Sequence, residues 1–149
     1  MTAITEFELP STANRTFKLT DMRGKKLVVY FYPKDDTPGC TVEGSDFRDL
    51  YAEFQAHNCA IVGISRDDMK SHEKFKNKLS LPFELLSDVD EKVCELFGVM
   101  KMKNMYGKEV RGVDRSTFVF DSDGKLVKEW RGVKSAGHAQ EVLDTIKTL

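Results

Sequence analysis

The chain has 149 residues, the size of one domain on a scale of roughly 150 residues each, and 23 Lys+Arg against 24 Asp+Glu leave a formal net charge of −1. That balance argues against nucleic acid or another polyanion as a partner, because such a protein needs excess Lys and Arg to offset phosphate charge. With 40% hydrophobic and 32% charged residues the chain can bury a core and stay soluble, and its longest apolar run, six residues, falls far short of the roughly 20 a membrane span needs.

The first 20 positions, MTAITEFELPSTANRTFKLT, hold no cationic, apolar leader, so an unprocessed cytoplasmic protein is expected, its N-terminal segment adding a hairpin. Leu27-Val-Val-Tyr-Phe-Tyr32 then reads as a strand buried on both faces. After a polar turn, Val42, Phe47, Leu50, Tyr51 and Phe54 fall close to one stripe of a helix. Cys59-Ala-Ile-Val-Gly-Ile64 is a second buried strand, and Met69, Phe75 and Leu79 mark a more exposed helix whose lysines, 70, 74, 76 and 78, form a solvated side. Phe83-Glu-Leu-Leu86 suggests a short strand, followed after Asp88 and Asp90 by a short helix with Val93, Leu96 and Phe97. Met100 to Gly112, rich in Lys, Gly and Met, reads as a long excursion. Ser116–Phe120 and Lys125–Trp130 flank Asp123-Gly124, a hairpin signal because Asp-Gly readily adopts positive φ. Ser135 is a candidate N-cap for a last helix with Ala139, Val142, Leu143, Ile146 and Leu149 at helical spacing. His57, His72 and His138 read as solvated helix residues, and Trp130 as packed in the hairpin. Parallel crossovers followed by an antiparallel hairpin imply an α/β, thioredoxin-like fold: one domain over residues 1–149, its mixed central sheet flanked by helices on both faces.

Cys40, Cys59 and Cys94 are too few and too odd in number for a disulfide scaffold. No CxxC pair occurs and the three histidines are scattered, so zinc or iron–sulfur ligation has no support. What remains is a chain in which one thiol is chemically special.

Pro33-Lys-Asp-Asp-Thr-Pro-Gly-Cys40 joins the first buried strand to the first long helix. Thr37-Pro38 is a helix-start signature, since a Thr hydroxyl can cap and proline at the first helical position loses no hydrogen bond. Counting from Thr37 as N-cap places Cys40 at the third helical position. There, free backbone N–H groups and the positive end of the helix dipole favour an anion. The thiolate is the reactive form of cysteine, and helix N-termini favour it. These residues nominate Cys40 as an activated nucleophile.

Pro33, Thr37 and Cys40 in a PxxxTxxC pattern after an apolar strand resemble the active-site motif of the peroxiredoxins, which are thiol-dependent peroxidases. The fuller string FYPKDDTPGCT is similar to the bacterioferritin-comigratory-protein, or PrxQ-type, branch. The likeness continues in order through GISRDD, LLSDVDEKVCELFGV, MYGKE, RSTFVFDSDGK and the final helix, over about 110 residues. The resemblance implies that Cys40 is the peroxidatic cysteine and that Thr37 hydrogen-bonds thiolate and peroxide. It further implies that Pro33 packs over the site and limits solvent access, and that Arg115 is the active-site arginine. A guanidinium there stabilises the thiolate and donates to the peroxide oxygens as the O–O bond stretches. Glu43, one turn after Cys40, is in reach of Arg115 and would hold its fork. Hydrogen peroxide or a small organic hydroperoxide would oxidise Cys40 to a sulfenic acid, with no metal, haem or flavin required.

This sequence departs from the branch at the resolving step. Many members carry a second cysteine five residues after the first, where this chain has Ser45; others carry it near 74–78, where this chain has none. A one-cysteine cycle is therefore expected, completed by thioredoxin, by glutaredoxin with glutathione, or by another small thiol. Cys59 reads as a small apolar strand residue and Cys94 as a core-facing helix residue. Two alternatives stay open: Cys94 resolving in a two-cysteine cycle, or a redox-sensing module in which Cys40 keeps a stable mixed disulfide. PrxQ-type proteins are often monomers, and the resemblance implies the same here.

Overall fold

The computed structural model describes residues 6–149; residues 1–5, part of the segment in which no leader is recognised, lie outside them. The chain opens with an antiparallel hairpin, β1 (Glu8–Ser11) and β2 (Arg15–Lys18), followed by a 3₁₀ turn at Leu19–Met22. Next come β3 (Lys26–Phe31), α1 (Pro38–Ala56), β4 (Cys59–Ser65), α2 (Met69–Leu79), β5 (Glu84–Ser87) and α3 (Lys92–Leu96). A two-stranded unit of β6 (Met100–Met105) and β7 (Lys108–Val113) leads to β8 (Ser116–Phe120), β9 (Leu126–Trp130) and α4 (His138–Ile146).

Seven strands share one sheet in the order β2-β1-β5-β4-β3-β8-β9. β3, β4 and β5 run parallel, and β1, β8 and β9 add antiparallel pairs at either side. Residues of β3 alternate between the faces. Val28, Tyr30 and Tyr32 pack with Phe47 and Phe54 of α1, Phe75 and Leu79 of α2, and Val142, Leu143 and Ile146 of α4. Leu27, Val29 and Phe31 pack on the opposite side with Val93, Cys94 and Phe97 of the α3 region and with Phe7 and Leu9. Burial on both faces is why 27–32 is uninterrupted hydrocarbon and aromatic ring. Gly63 on β4 makes room for this packing, since a Cβ there would lie 2.9 Å from both Tyr30 Cζ and Leu85 Cδ2. The architecture is the expected thioredoxin-like mixed sheet between helices. No helix among the described residues is long and apolar enough to cross a membrane.

Four local expectations are corrected. Residues 100–113 form a regular hairpin, closed by Tyr106-Gly107 with φ of 54° and 79°. Positive φ at both turn residues is what a two-residue loop needs to match strand twist. The hairpin of β8 and β9 forms as expected, but at Asp123-Gly124 only Gly124 takes positive φ; the turn is held by Asp121 Oδ1, which accepts from the amides of Asp123 and Lys125. The N-cap of α4 is Gly137, at φ 78°, and not Ser135. Finally, His72 and His138 are buried, 0% and 3% exposed. His57 alone is partly exposed, at the C-cap of α1.

Candidate active site

β3 ends at Phe31, and residues 32–37 carry the chain across the end of the sheet to α1. Thr37 is the N-cap, extended at φ −98° and ψ 156°, and Pro38 occupies the first helical turn. Its hydroxyl does not cap the helix; Oγ1 donates to Lys34 O at 2.8 Å and closes the connecting loop on itself. The first intrahelical bond runs from Thr41 N to Thr37 O, 2.8 Å. The amides of Gly39 and Cys40 therefore precede the hydrogen-bonded ladder, in the first turn where the positive end of the helix dipole lies. Pro33 and Thr37 are half-buried.

Cys40 is only 2% exposed. Its Sγ accepts from Nη2 of Arg115 at 3.4 Å, and Nη1 of the same guanidinium donates to Glu43 Oε1 at 2.6 Å. Arg115 comes from the two-residue link between β7 and β8, where the backbone is pinned. Asp114 N donates to Val99 O at 2.7 Å, Val133 N to Arg115 O at 3.0 Å, and Ser116 Oγ to Asp114 O at 2.8 Å. Two planar donors on one fork thus hold a sulfur and a carboxylate from the same helix. Gly39 leaves the space for this approach, because a Cβ there would stand 3.0 Å from Arg115 Nη2. Sequence reasoning missed that role for the glycine.

Glu43 is fully buried and its Oε2 has no hydrogen-bond partner. Burial pushes its carboxyl up to about 7, against the downward pull of Arg115. Burial works against the charge on Arg115, but its contacts with Glu43 and Cys40 outweigh that and hold the guanidinium's proton more firmly, so Arg115 is raised. The folded-state value for Glu43 exceeds its ordinary 4.5, so its contribution to stability is complete below pH 4.5 and is lost as pH rises through about 7. Relative to Glu43→Gln, which cannot ionise, the wild-type protein is expected to lose about 1–3 kcal/mol between pH 4.5 and 7.5. Denaturant midpoints of both proteins across that range check it; parallel profiles would mean that folding leaves Glu43 near its ordinary value.

Lys103 of β6 adds a second cation near the thiol. Its Nζ donates to Val113 O, and burial lowers its ammonium despite the fields of Asp114 and Cys40. The other two cysteines are elsewhere. Cys59 starts β4 beside Lys26, so it sits at the opposite end of the parallel β3–β4 pair from the site, roughly 17 Å away along the strand. Cys94 lies on the other face of the sheet from Cys40. Burial pushes the Cys59 thiol up to about 12, and burial together with Asp88 pushes that of Cys94 well above the ordinary thiol range. All three cysteines are free.

Among the described residues, Asp35, Asp67 and His72 bring possible ligand atoms within 4.8 Å of one another. They do not fit a metal centre. Both nitrogens of His72, both oxygens of Asp35 and one oxygen of Asp67 are already committed to protein hydrogen bonds.

A model of the AhpC/TSA family matches residues 2–129. Peroxiredoxin Bcp of Bacillus subtilis is 48% identical over 144 residues, covering 97% of this chain and 92% of its own. Among solved structures, peroxiredoxin Q of Xanthomonas campestris superimposes with a TM-score of 0.91 at 48% identity, over 95% of this chain and 90% of that one. The bacterioferritin comigratory protein of the same organism, solved as trapped intermediate and ligand complexes bearing on alkyl peroxide reduction, matches at 47% identity and a TM-score of 0.91, with the same coverage.

Proposed function

This chain belongs to the AhpC/TSA family and is a peroxiredoxin, a thiol-dependent peroxidase, and on that premise we propose that Cys40 is its peroxidatic cysteine, served by Arg115, Glu43, Thr37 and Pro33. The observation that carries the reading is the 3.4 Å contact of Arg115 Nη2 with Cys40 Sγ at the head of α1. The Cys40 thiolate attacks the terminal oxygen of ROOH along the O–O axis. An S–O bond forms as the O–O bond breaks, RO⁻ takes a proton and leaves as ROH, and the sulfur is oxidised to a sulfenic acid. Arg115 donates to the oxygens on which charge grows. Glu43 fixes the guanidinium, the Thr37 hydroxyl contacts the peroxide, and Pro33 limits water access. Hydrogen peroxide and small organic hydroperoxides are the substrates, a reading supported by the alkyl peroxide activity named for the similar X. campestris protein.

The cycle uses one cysteine of the chain. Its support is geometric: Cys59 sits at the far end of the sheet and Cys94 on its other face, while a disulfide needs Cα atoms within roughly 7 Å. Ser45, half-buried in α1, has no thiol to offer. An external thiol, from thioredoxin, glutaredoxin with glutathione, or a small molecule, displaces water from the sulfenic acid to give a mixed disulfide, and a second thiol releases Cys40. Free thiols throughout the chain suit a reducing cytoplasm. Charged side chains on the sheet's outer strands, Arg15 and Lys18 on β2 and Lys128 and Glu129 on β9, oppose edge-to-edge pairing and support a monomer.

The test is oxidation with one equivalent of peroxide followed by intact-mass and disulfide mapping, then steady-state turnover with excess thiol. The expected result is one oxygen on Cys40, no Cys40–Cys94 bridge, and sustained turnover. A bridge would establish the two-cysteine cycle. Consumption that stops at one equivalent would establish a sensor that holds its mixed disulfide.

A further inference from the structure

His72, one turn into α2, is fully buried, and both ring nitrogens face oxygen. Nδ1 lies 2.7 Å from Asp35 Oδ2 and Nε2 lies 2.8 Å from Leu86 O. Both ring nitrogens are thus engaged by protein oxygens, and the ring ties Asp35 of the loop directly to the backbone of β5. The Asp35 carboxylate also accepts from Tyr32 Oη at 2.6 Å and Ser71 Oγ at 2.8 Å. Its amide donates to Asp67 Oδ2 at 2.9 Å, and that oxygen also accepts from Ser65 Oγ at 2.6 Å. Asp35 stands in the middle of the loop that runs from Pro33 to Thr37. Its neighbour Asp36 takes φ +60°, a left-handed conformation that Asp tolerates better than most residues with a side chain. The Asp36 carboxylate reaches back to Lys78 of α2 at 2.6 Å.

We propose that Asp35 and His72 are positioning residues, a clamp from α2 and β5 that holds the Pro33–Thr37 loop where Thr37 meets the peroxide at Cys40. The assignment rests on the peroxidase reading of Cys40 and extends it to groups that never touch substrate. Tyr32, Ser71 and His72 converge on the Asp35 carboxyl, and several directional contacts on one buried group fix where this part of the loop sits. Arg115 reaches the sulfur from the link between β7 and β8, outside this loop, and goes on favouring the thiolate when the loop shifts. Loss of the clamp therefore impairs the peroxide step and spares simple alkylation of the same sulfur.

The experiment compares second-order rates of the reduced full-length protein with hydrogen peroxide and with iodoacetamide, read by intact mass of quenched samples. His72→Gln is expected to slow the peroxide reaction by about tenfold to a hundredfold, the scale of a small misplacement. Alkylation of Cys40 stays within about twofold, and adding His72→Gln to Thr37→Val changes the peroxide rate by no more than about twofold. An unchanged peroxide rate, equal loss with both reagents, or a full further loss in the Thr37→Val background would overturn the clamp. If His72→Gln does not fold, Ser71→Ala removes one donor from the same carboxylate; the same split between reagents is expected, at about fivefold, and its absence counts equally against the clamp. A wild-type protein that peroxide leaves unoxidised at Cys40 would refute the peroxidase reading itself, a result distinct from normal wild-type oxidation with an indifferent His72→Gln.

Discussion

Replacing Cys40 by serine is expected to bring peroxide consumption down to background, a loss on the order of 10⁴-fold or more, as when other enzymes lose their nucleophile. The hydroxyl is nearly isosteric with the thiol, so the packing of Tyr30 and Phe47 around it stays intact. What is lost is a group that can form an anion at the head of α1 and be oxidised. Cys59→Ser and Cys94→Ser serve as controls, since neither sulfur is near the Arg115 fork. Steady-state peroxide consumption with excess dithiothreitol reads all three, and undiminished activity in Cys40→Ser would move the chemistry elsewhere.

The second large effect is expected at Arg115, and there rate and stability separate. Arg115→Ala removes the donor that contacts Sγ. A donor placed at developing charge is worth roughly 10²–10³ in rate, the loss expected for the peroxide step. It also strands the Glu43 carboxyl, 0% exposed, without its partner at 2.6 Å. Breaking a buried pair on one side typically costs about 3–5 kcal/mol, here reduced below pH 7 because Glu43 readily takes up a proton. Arg115→Ala with Glu43→Gln should recover most of the stability and none of the rate. Arg115→Lys should keep part of the rate through its charge, without the fork that spans sulfur and carboxylate. Stopped-flow oxidation and urea denaturation of the three variants measure the two quantities side by side. Recovery of rate in the double variant would show that Glu43 left bare, and not the missing guanidinium, slows the reaction.

The elements that carry the thiol are legible in the sequence because each rests on a local rule. An apolar run, a Thr-Pro start and a stripe of aromatic residues fix strand, cap and helix, and counting from Thr37 puts Cys40 in the first turn, where the structure has it. That Arg115 comes to Cys40 across 75 residues of chain is a matter of topology, which no local rule supplies; only the resemblance pointed there. The hairpin at 100–113 had a readable signal, the alternation of Met and Lys from Met100 to Lys103, masked by glycines and by Tyr106 in a turn position that favours Asn. The buried histidines were also readable. His72 is spaced three and seven residues before Phe75 and Leu79, on the apolar stripe of α2, and His138 stands four before Val142. Burial follows the face and not the polarity of the side chain, and the polar atoms find partners there: His138 meets Thr117 Oγ1 at 2.8 Å and Glu141 Oε1 at 3.0 Å.

Gly63 ties β4 to the surroundings of Cys40 on the same face of the sheet. A methyl group at that position must displace Tyr30, whose ring stacks on Phe47 at 4.7 Å and whose hydroxyl lies within the fields of Glu43 and Cys40. Mutational drift at residue 63 is thereby limited by an event it takes no part in. Substitutions there disturb the buried packing and the ring beside the site together, so they register in a screen for folded protein as well as in one for survival under oxidant.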